Sequence, residues 1–201
     1  MKIKYLMTVA VLAALTSFAR AEAVVGQAAP AFSVADCCGK KVSLSDYKGK
    51  FVVLEWTNHE CPFVVKHYSS GNMQALQKEY TGKGVVWLSV ISSAPGKQGY
   101  VKDMEEAMKL TEDRKASPSH VLMDNDGAVG KAYGAKTTPH MFVINPEGKV
   151  IYAGGIDDKK SADSKDIATS KNYVKAALDE ALAGKPVTTA STVPYGCSVK
   201  Y

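Results

Sequence analysis

The chain has 201 residues, of which 46% are hydrophobic and 22% are charged. These proportions are ordinary for a soluble globular protein and exclude a fibrous or disordered chain. The formal net charge of +5 falls to +2 when residues 1–21, which carry Lys2, Lys4 and Arg20 and no acidic residue, are left out. A nearly neutral protein with scattered lysines is not expected to bind nucleic acid.

Residues 1–23 have the pattern of a cleaved signal peptide. Lys2 and Lys4 precede an apolar stretch at 5–18, which is too short to cross a bilayer comfortably. Small residues then follow in two overlapping A-x-A patterns within 19–23, and these favour cleavage over an uncleaved membrane anchor. We therefore predict a periplasmic or secreted protein that has no membrane association after cleavage.

The remaining chain predicts one α/β domain at 24–186 and a tail at 187–201. Residues 25–50 predict a hairpin that turns near Cys38, and the β-branched and aromatic run at 51–57 predicts a buried strand. A helix is expected from Pro62, since proline is favoured in a first helical turn. Residues 69–72 interrupt it, and it should then continue to about residue 80.

Alternating strands and helices complete the predicted domain. The elements expected in chain order are a buried strand at 85–93, a helix at 100–114, a strand at 120–124, a short helix at 127–135, two strands within 140–155 and a helix at 170–184. The helix at 100–114 is expected to carry Val101, Met104, Met108 and Leu110 on or near one face. This alternation indicates an α/β sheet to which the closing hairpin adds antiparallel strands. The tail either packs back on the domain or stays mobile.

Cys61 is the strongest candidate for chemistry because it stands between a predicted buried strand and a predicted helix. Unpaired amides at a helix N-terminus stabilise a thiolate, so the pKa of this thiol should fall. Lys66 would add to the positive field and Glu60 would oppose it. His59 is a candidate base for the thiol proton. The alternative is a buried and inert cysteine, although a strand–helix corner usually lies on the functional edge of an open sheet.

The residues around Cys61 resemble the thioredoxin superfamily. WTNHECP lies between a strand and a helix, and TTP precedes a strand about 75 residues later. The stretch APAFSVADCCGKKVSLSDYKGKFVVLEWT is similar to the N-terminal part of peroxiredoxin-like redoxins, the alkyl hydroperoxide reductase and thiol-specific antioxidant group. This resemblance implies a thioredoxin-like α/β fold, with a central mixed β-sheet flanked by helices and an N-terminal β-hairpin.

The resemblance also implies an exported thiol oxidoreductase, without a cofactor, that reduces hydroperoxides through Cys61. Pro139 takes the place of the cis-proline that faces the reactive cysteine, and Thr138 and Thr57 belong to the same motifs. The implied partners are a hydroperoxide or disulfide substrate and an unidentified thiol reductant.

Three departures from the family weaken the peroxidase prediction. Val64 stands where thioredoxins have the second cysteine of C-x-x-C. Thr57 precedes Cys61 by four residues rather than three. Arg114 is the only arginine outside the predicted signal peptide, and the sequence does not place it near Cys61.

The other cysteines leave several alternatives open. Oxidation of Cys61 to a sulfenic acid would require a second thiol. Cys197 is the first candidate because its tail contains Pro194 and Gly196, but an intermolecular bridge or an incidental cysteine is equally acceptable. Cys37 and Cys38 can bridge each other only with strain, so they form a labile redox pair, a metal-binding pair or an ordinary turn.

Two further functions compete with peroxide reduction. The first is thiol–disulfide exchange with exported proteins, which the missing C-x-x-C disfavours. The second is copper binding by soft ligands, either Cys61 with His59 or His140, or the pair Cys37 and Cys38. A redox-silent binding module with the same fold is a third alternative.

Overall fold

The computed structural model describes residues 22–201, so the predicted signal peptide lies almost wholly outside the described residues. Within the described part, no helix is both long and apolar enough to span a membrane. The strands are β1 (Ser33–Ala35), β2 (Lys41–Ser43), β3 (Val52–Trp56), β4 (Val86–Ile91), β5 (His120–Met123), β6 (Thr137–Thr138), β7 (His140–Ile144), β8 (Val150–Gly154) and β9 (Cys197–Ser198). The α-helices are α1 (Pro62–Ser69), α2 (Asn72–Gly82), α3 (Met104–Asp113), α4 (Ala128–Tyr133) and α5 (Tyr173–Leu182). Two 3₁₀-helices, Leu44–Tyr47 and Ser164–Thr169, complete the structure.

Five strands form a central mixed sheet in the order β5-β4-β3-β7-β8. Strand β3 is parallel to β4, β4 is parallel to β5, and β7 is antiparallel to both β3 and β8. Strands β1 and β2 pair separately as the N-terminal hairpin. The predicted thioredoxin-like architecture is therefore confirmed.

The sheet separates two hydrophobic cores because successive side chains of a strand point to opposite faces. In β3, Val53 packs into the core that contains α1, α2 and α5, whereas Leu54 packs into the core that contains α4. Cys61 belongs to the first core. Both faces of β3 are thus covered, which explains why four of its five residues are apolar.

Helix α3 differs from its prediction in both its start and its buried face. It begins at Met104 because the Asp103 carboxylate accepts a hydrogen bond from the Glu106 amide at 3.0 Å and caps the helix. Met104 and Met108 are exposed by 44% and 45%, and Ala107 is the buried residue. The predicted apolar face is confirmed for Val101, which is buried, and Leu110, which packs against the same cluster, but it is wrong for the two methionines.

Glu55 joins the central sheet to the helices that follow Cys61. Its carboxylate is fully buried and accepts hydrogen bonds from Tyr68 Oη at 2.7 Å, Trp87 Nε1 at 2.8 Å, Ser89 Oγ at 3.1 Å and Gln77 Nε2 at 3.2 Å. Burial raises the pKa of Glu55, although these donors act in the opposite direction. The network holds α1 and α2 against β3 and β4.

Substitution Tyr68→Phe is expected to lower the free energy of unfolding by about 1.5–3 kcal/mol, because Glu55 stays buried and loses its shortest donor. Urea unfolding of both proteins measures this difference. Tyr100→Phe is the matched control at a partly exposed loop position. Equal unfolding midpoints for the two variants would contradict the importance of the network.

The C-terminal tail packs on the domain. Strand β9 pairs antiparallel with β6, so that Cys197 lies opposite Thr138. The Tyr201 hydroxyl donates to the Ala135 carbonyl at 2.9 Å, and the Val199 amide donates to the Lys136 carbonyl. Of the two alternatives left open by the sequence, the structure shows the packed tail.

Candidate active site

Cys61 is the N-cap residue of α1, directly after the loop that follows β3. Pro62 occupies the first turn, and the Cys61 carbonyl accepts the amides of Val64 and Val65, both at 2.9 Å. The thiol is fully buried and donates to the Thr138 carbonyl at 3.0 Å. Cys61 therefore lies at the predicted corner between a strand and a helix, but its sulfur is not exposed to solvent.

Thr138 and Pro139 lie against Cys61, as the family motif implied. The peptide bond between them is cis. The Thr138 side chain is buried and its hydroxyl has no hydrogen-bond partner among the described residues. That hydroxyl is therefore free to act as a donor to an ionised sulfur.

Cys197 is brought to the same place by the β6–β9 pairing. Its side chain is half-buried and packs against the core cluster that contains Cys61. The preceding Gly196 has φ +137°, and a Cβ there would lie 2.1 Å from the Thr138 carbonyl oxygen. Glycine at 196 therefore permits the tail to approach the backbone beside Cys61.

The two thiols have opposite pKa shifts. Burial raises the pKa of the Cys61 thiol, but the surrounding Cys197, Thr138 and Val64 groups favour the ionised sulfur and outweigh burial, so the pKa falls below its usual value. Burial and the neighbouring Cys61 raise the pKa of Cys197 to about 11. Cys61 is consequently the member of the pair that ionises first. All four cysteines are free thiols in the structure.

Thr57 and His59 flank the site without a hydrogen bond to Cys61 among the described residues. Thr57 is buried, and its hydroxyl also lacks a partner within residues 22–201. Burial lowers the pKa of His59. The His59 side chain lines a pocket of about 560 Å³ beside α1, together with Arg114. His59 thus faces this pocket, and its role as a base stays a prediction.

The charged residues considered from the sequence have other partners. The buried Lys66 ammonium donates to the Lys159 carbonyl at 2.8 Å and lies 3.6 Å from Asp157 Oδ2, so it compensates that carboxylate rather than Cys61. Glu60 accepts the Gly99 amide at 2.7 Å. The guanidinium of Arg114 lies 4.3 Å from the centroid of the Tyr68 ring. The predicted contribution of Lys66 to the field at Cys61 is not supported.

A buried polar cluster, which the sequence analysis missed, anchors the tail near Cys197. The Tyr195 hydroxyl donates to Asp157 Oδ1 and lies 3.3 Å from His67 Nε2. The Tyr195 ring also contacts Phe63 edge to face, with centroids 5.9 Å apart. The only sequence signal was the position of a tyrosine two residues before Cys197 in a tail that otherwise looked featureless.

Two histidines are buried and uncharged. Burial lowers the pKa of His67 to about 4, and it lowers the pKa of His140 to about 4. His140 packs on Phe142 with ring centroids 4.5 Å apart, and its Nδ1 accepts the Lys136 amide at 3.2 Å. Neither ring has a described contact with the Cys61 sulfur.

Stability is expected to fall as the pH drops from about 6.5 to 4, because the unfolded chain binds protons at His67 and His140 more readily than the folded chain does. Each histidine contributes roughly 3 kcal/mol of this loss at most. Urea unfolding at pH 7, 5.5 and 4.5 measures the trend. His140→Asn should make the free energy of unfolding less dependent on pH. An unchanged pH dependence in that variant would contradict the contribution of His140.

The copper ligand sets considered from the sequence are only partly brought together. Cys61 packs in the core with α1, whereas His140 contacts Phe142 of the opposite core. Cys37 and Cys38 lie at the tip of the N-terminal hairpin. In residues 22–201, no group of three or more His, Cys, Asp or Glu side chains is arranged to hold a metal ion.

Comparison with known proteins settles the family. The model of the AhpC/TSA family matches residues 25–153. The chain belongs to the AhpC/TSA family. The matched segment contains Cys61 and Pro139 and ends before the tail that carries Cys197. The resemblance to redoxins drawn from the sequence is therefore confirmed.

The names of two relatives of this AhpC/TSA member describe redox proteins of different kinds. The thiol-disulfide oxidoreductase ResA of Bacillus thuringiensis subsp. konkukian is 32% identical over 129 residues, which cover 63% of this chain and 67% of that protein. A Mycobacterium tuberculosis protein named as a peroxiredoxin is 28% identical over 143 residues, covering 64% of this chain and 82% of that protein. Both names describe thiol-based redox proteins.

Solved structures show the same fold. An uncharacterized conserved protein from Geobacillus kaustophilus is 28% identical with a TM-score of 0.74, and the match covers 89% of this chain and 92% of that one. The thioredoxin domain of a thiol-disulfide oxidoreductase from Bacteroides vulgatus is 26% identical with a TM-score of 0.51, covering 65% of this chain and 87% of that one. The AhpC/TSA member therefore has a thioredoxin-like fold.

Proposed function

We propose that this AhpC/TSA member is a thiol–disulfide oxidoreductase that exchanges disulfides with protein partners through Cys61 and Cys197. One observation carries the proposal: the Cys61 thiol donates to the Thr138 carbonyl, and Cys197 lies opposite Thr138 in the β6–β9 pair. Two thiols with opposite pKa shifts thus meet beside a cis-proline. The ResA name of the relative supports the same activity.

The difference in exposure assigns different roles to the two sulfurs. Cys61 is fully buried, whereas Cys197 is half-buried and can be reached from outside. In an exchange reaction the accessible sulfur is attacked, and the thiol with the lower pKa leaves faster. Both criteria select Cys197 as the sulfur that bonds to the partner and Cys61 as the leaving thiolate.

The exchange balances as a two-electron transfer. A partner thiolate attacks Cys197 Sγ of the Cys61–Cys197 disulfide, the bond between the two sulfurs breaks, and Cys61 leaves with the electron pair as a thiolate. A second partner thiolate then attacks the partner sulfur of the mixed disulfide. The partner leaves as a disulfide, and Cys197 is released as a thiolate that takes up a proton. The reverse sequence reduces a partner disulfide.

Hydroperoxide reduction is the second candidate, supported by the peroxiredoxin name of the mycobacterial relative. The Cys61 thiolate would attack the peroxide, releasing an alcohol or water and forming a sulfenic acid. The Cys197 thiol would then condense with it, and water would leave. The burial of Cys61 and the stacking of Arg114 on Tyr68 make this reaction the weaker candidate.

Rapid-mixing measurements distinguish the two reactions. The fully reduced protein is mixed with equimolar oxidised glutathione or hydrogen peroxide, and loss of free thiol is followed over time. Exchange predicts that the disulfide oxidises the protein at least about 10-fold faster than the peroxide does. A faster reaction with peroxide, accompanied by a trapped sulfenic acid on Cys61, would overturn the proposal in favour of the peroxidase.

Export remains part of this proposal. The signal-peptide pattern at 1–23 predicts an oxidising compartment, in which disulfides persist. The expected partners are then exported proteins that carry cysteines and a thiol reductant in the same compartment.

A further inference from the structure

The turn of the N-terminal hairpin holds a second pair of thiols. Cys37 Sγ and Cys38 Sγ lie 4.0 Å apart, with Cys37 buried and Cys38 exposed. The Asp36 carboxylate fixes the turn by accepting the amides of Cys38 at 2.9 Å and Lys40 at 2.8 Å. Neighbouring cysteines are thus held with both sulfurs on one side of an ordered turn.

The distance between the sulfurs suits a bound metal ion better than a direct bond. A disulfide needs sulfurs at about 2.05 Å. With metal–thiolate bonds of about 2.3 Å, the observed 4.0 Å separation corresponds to a sulfur–metal–sulfur angle of about 120°. That angle is the one expected of a trigonal site with three ligands.

A thioether lies near the same turn and is the candidate third ligand of such a site. Gly39 follows the two cysteines in the turn, and Met104 Sδ lies 3.5 Å from the position that a Cβ on Gly39 would occupy. Helix α3 brings it there because Cys37 packs in one cluster with Ala107, which follows Met104 by three residues. Met104 is 44% exposed, so its side chain is only partly packed by neighbouring residues.

The ligand set selects among metals. Structural zinc sites use four cysteine, histidine or carboxylate side chains and catalytic zinc sites use three, and residues 22–201 contain no group of even three such side chains suited to a metal. The Asp36 carboxylate already has three hydrogen-bond partners, His120 Nδ1 at 2.7 Å and the amides of Cys38 and Lys40, so it is not counted as a metal ligand. Thiolates with a thioether are instead the soft donors that select Cu(I).

We propose that Cys37, Cys38 and Met104 form a binding site for one Cu(I) ion at the hairpin tip. The site does not involve Cys61 or Cys197 and does not depend on the proposed exchange reaction. Binding replaces the proton of each thiol by a bond to the metal, so two protons are released for each ion bound. No change in the oxidation state of sulfur or copper takes place.

The test is a competition between the protein and the Cu(I) chelator bicinchoninate, under nitrogen and with ascorbate present. It uses the reduced mature chain with Cys61→Ser and Cys197→Ser, so that only the hairpin thiols remain. We expect one equivalent of Cu(I) per chain to be withheld from the chelator. A third substitution in this protein, Cys38→Ser, should weaken Cu(I) binding at least about 100-fold, because one of the two thiolate ligands is lost.

Methionine variants separate the proposed site from adventitious thiol binding. Met104→Leu should weaken Cu(I) binding about 10-fold, whereas Met108→Leu, one turn along the same exposed face, should leave it unchanged. Circular dichroism confirms that each variant is folded. Failure to retain one equivalent of Cu(I), retention after Cys38→Ser, or equal effects of the two methionine variants would overturn the proposal.

Discussion

Substitution Cys61→Ser is expected to lower the rate of disulfide exchange at least about 100-fold, because it removes the thiol that ionises first. Turnover is measured as the rate at which the oxidised protein oxidises a reduced dithiol peptide. The serine hydroxyl can still donate to the Thr138 carbonyl, so the fold around the substitution is retained. Val65→Ala, at an exposed position of the same helix, is the matched control and should keep full turnover.

Substitution Cys197→Ser should also stop turnover, but it leaves a distinct product. With oxidised glutathione as the disulfide, the Cys61 thiolate of this variant attacks one glutathione sulfur, the other glutathione leaves as a thiolate, and the reaction is slow because the tail still covers Cys61. In the Cys61→Ser protein, the half-buried Cys197 should instead accumulate the mixed disulfide with glutathione, again with release of one glutathione thiolate. Peptide mapping after acid quenching shows how much of the remaining cysteine in each variant carries the mixed disulfide. Retained turnover in either variant would contradict the assignment of the pair.

The second large effect is expected from Tyr195→Phe, which should expose Cys61. Tyr195 lies in the tail, two residues before Cys197, and its hydroxyl donates a hydrogen bond to the buried Asp157 carboxylate. Without it, Asp157 keeps Lys66 at 3.6 Å, but the tail loses one of the hydrogen bonds that hold it on the domain. We expect iodoacetamide to alkylate Cys61 about 10-fold faster, since local opening becomes easier.

The stability of the same variant gives an independent readout. Loss of a hydrogen bond to a buried carboxylate should cost about 1.5–3 kcal/mol of unfolding free energy. Tyr173→Phe, at a half-buried position at the start of α5, is the control. If alkylation of Cys61 is equally slow in both variants, Tyr195 does not position the tail.

The central part of the fold could be predicted from sequence because its signals are local. The apolar run of β3 required burial on both faces, and the residue after the following loop became the N-cap of α1. Pro139 stood before a strand in a motif that resembled redoxins, and its peptide bond is cis. These features depend on neighbouring residues and on a family motif.

The remainder of the site depends on contacts between distant residues, which a single sequence does not display. Lys66 was expected to act on Cys61, yet it pairs with Asp157, which lies far along the chain. Cys197 was one of several candidate partners, and only the β6–β9 pairing places it beside Thr138. Helical spacing grouped Met104 and Met108 with Val101 and Leu110, but the methionines are exposed and Ala107 is buried, and this depends on what packs against α3.

Disulfide mapping shows directly whether Cys61 and Cys197 form the reactive pair. The reduced mature protein is treated with one equivalent of diamide, its free thiols are blocked, and its peptides are identified by mass spectrometry. We expect the main product to link Cys61 to Cys197 within one chain. A main product that links Cys37 to Cys38, or one that joins two chains while Cys61 stays free, would contradict it.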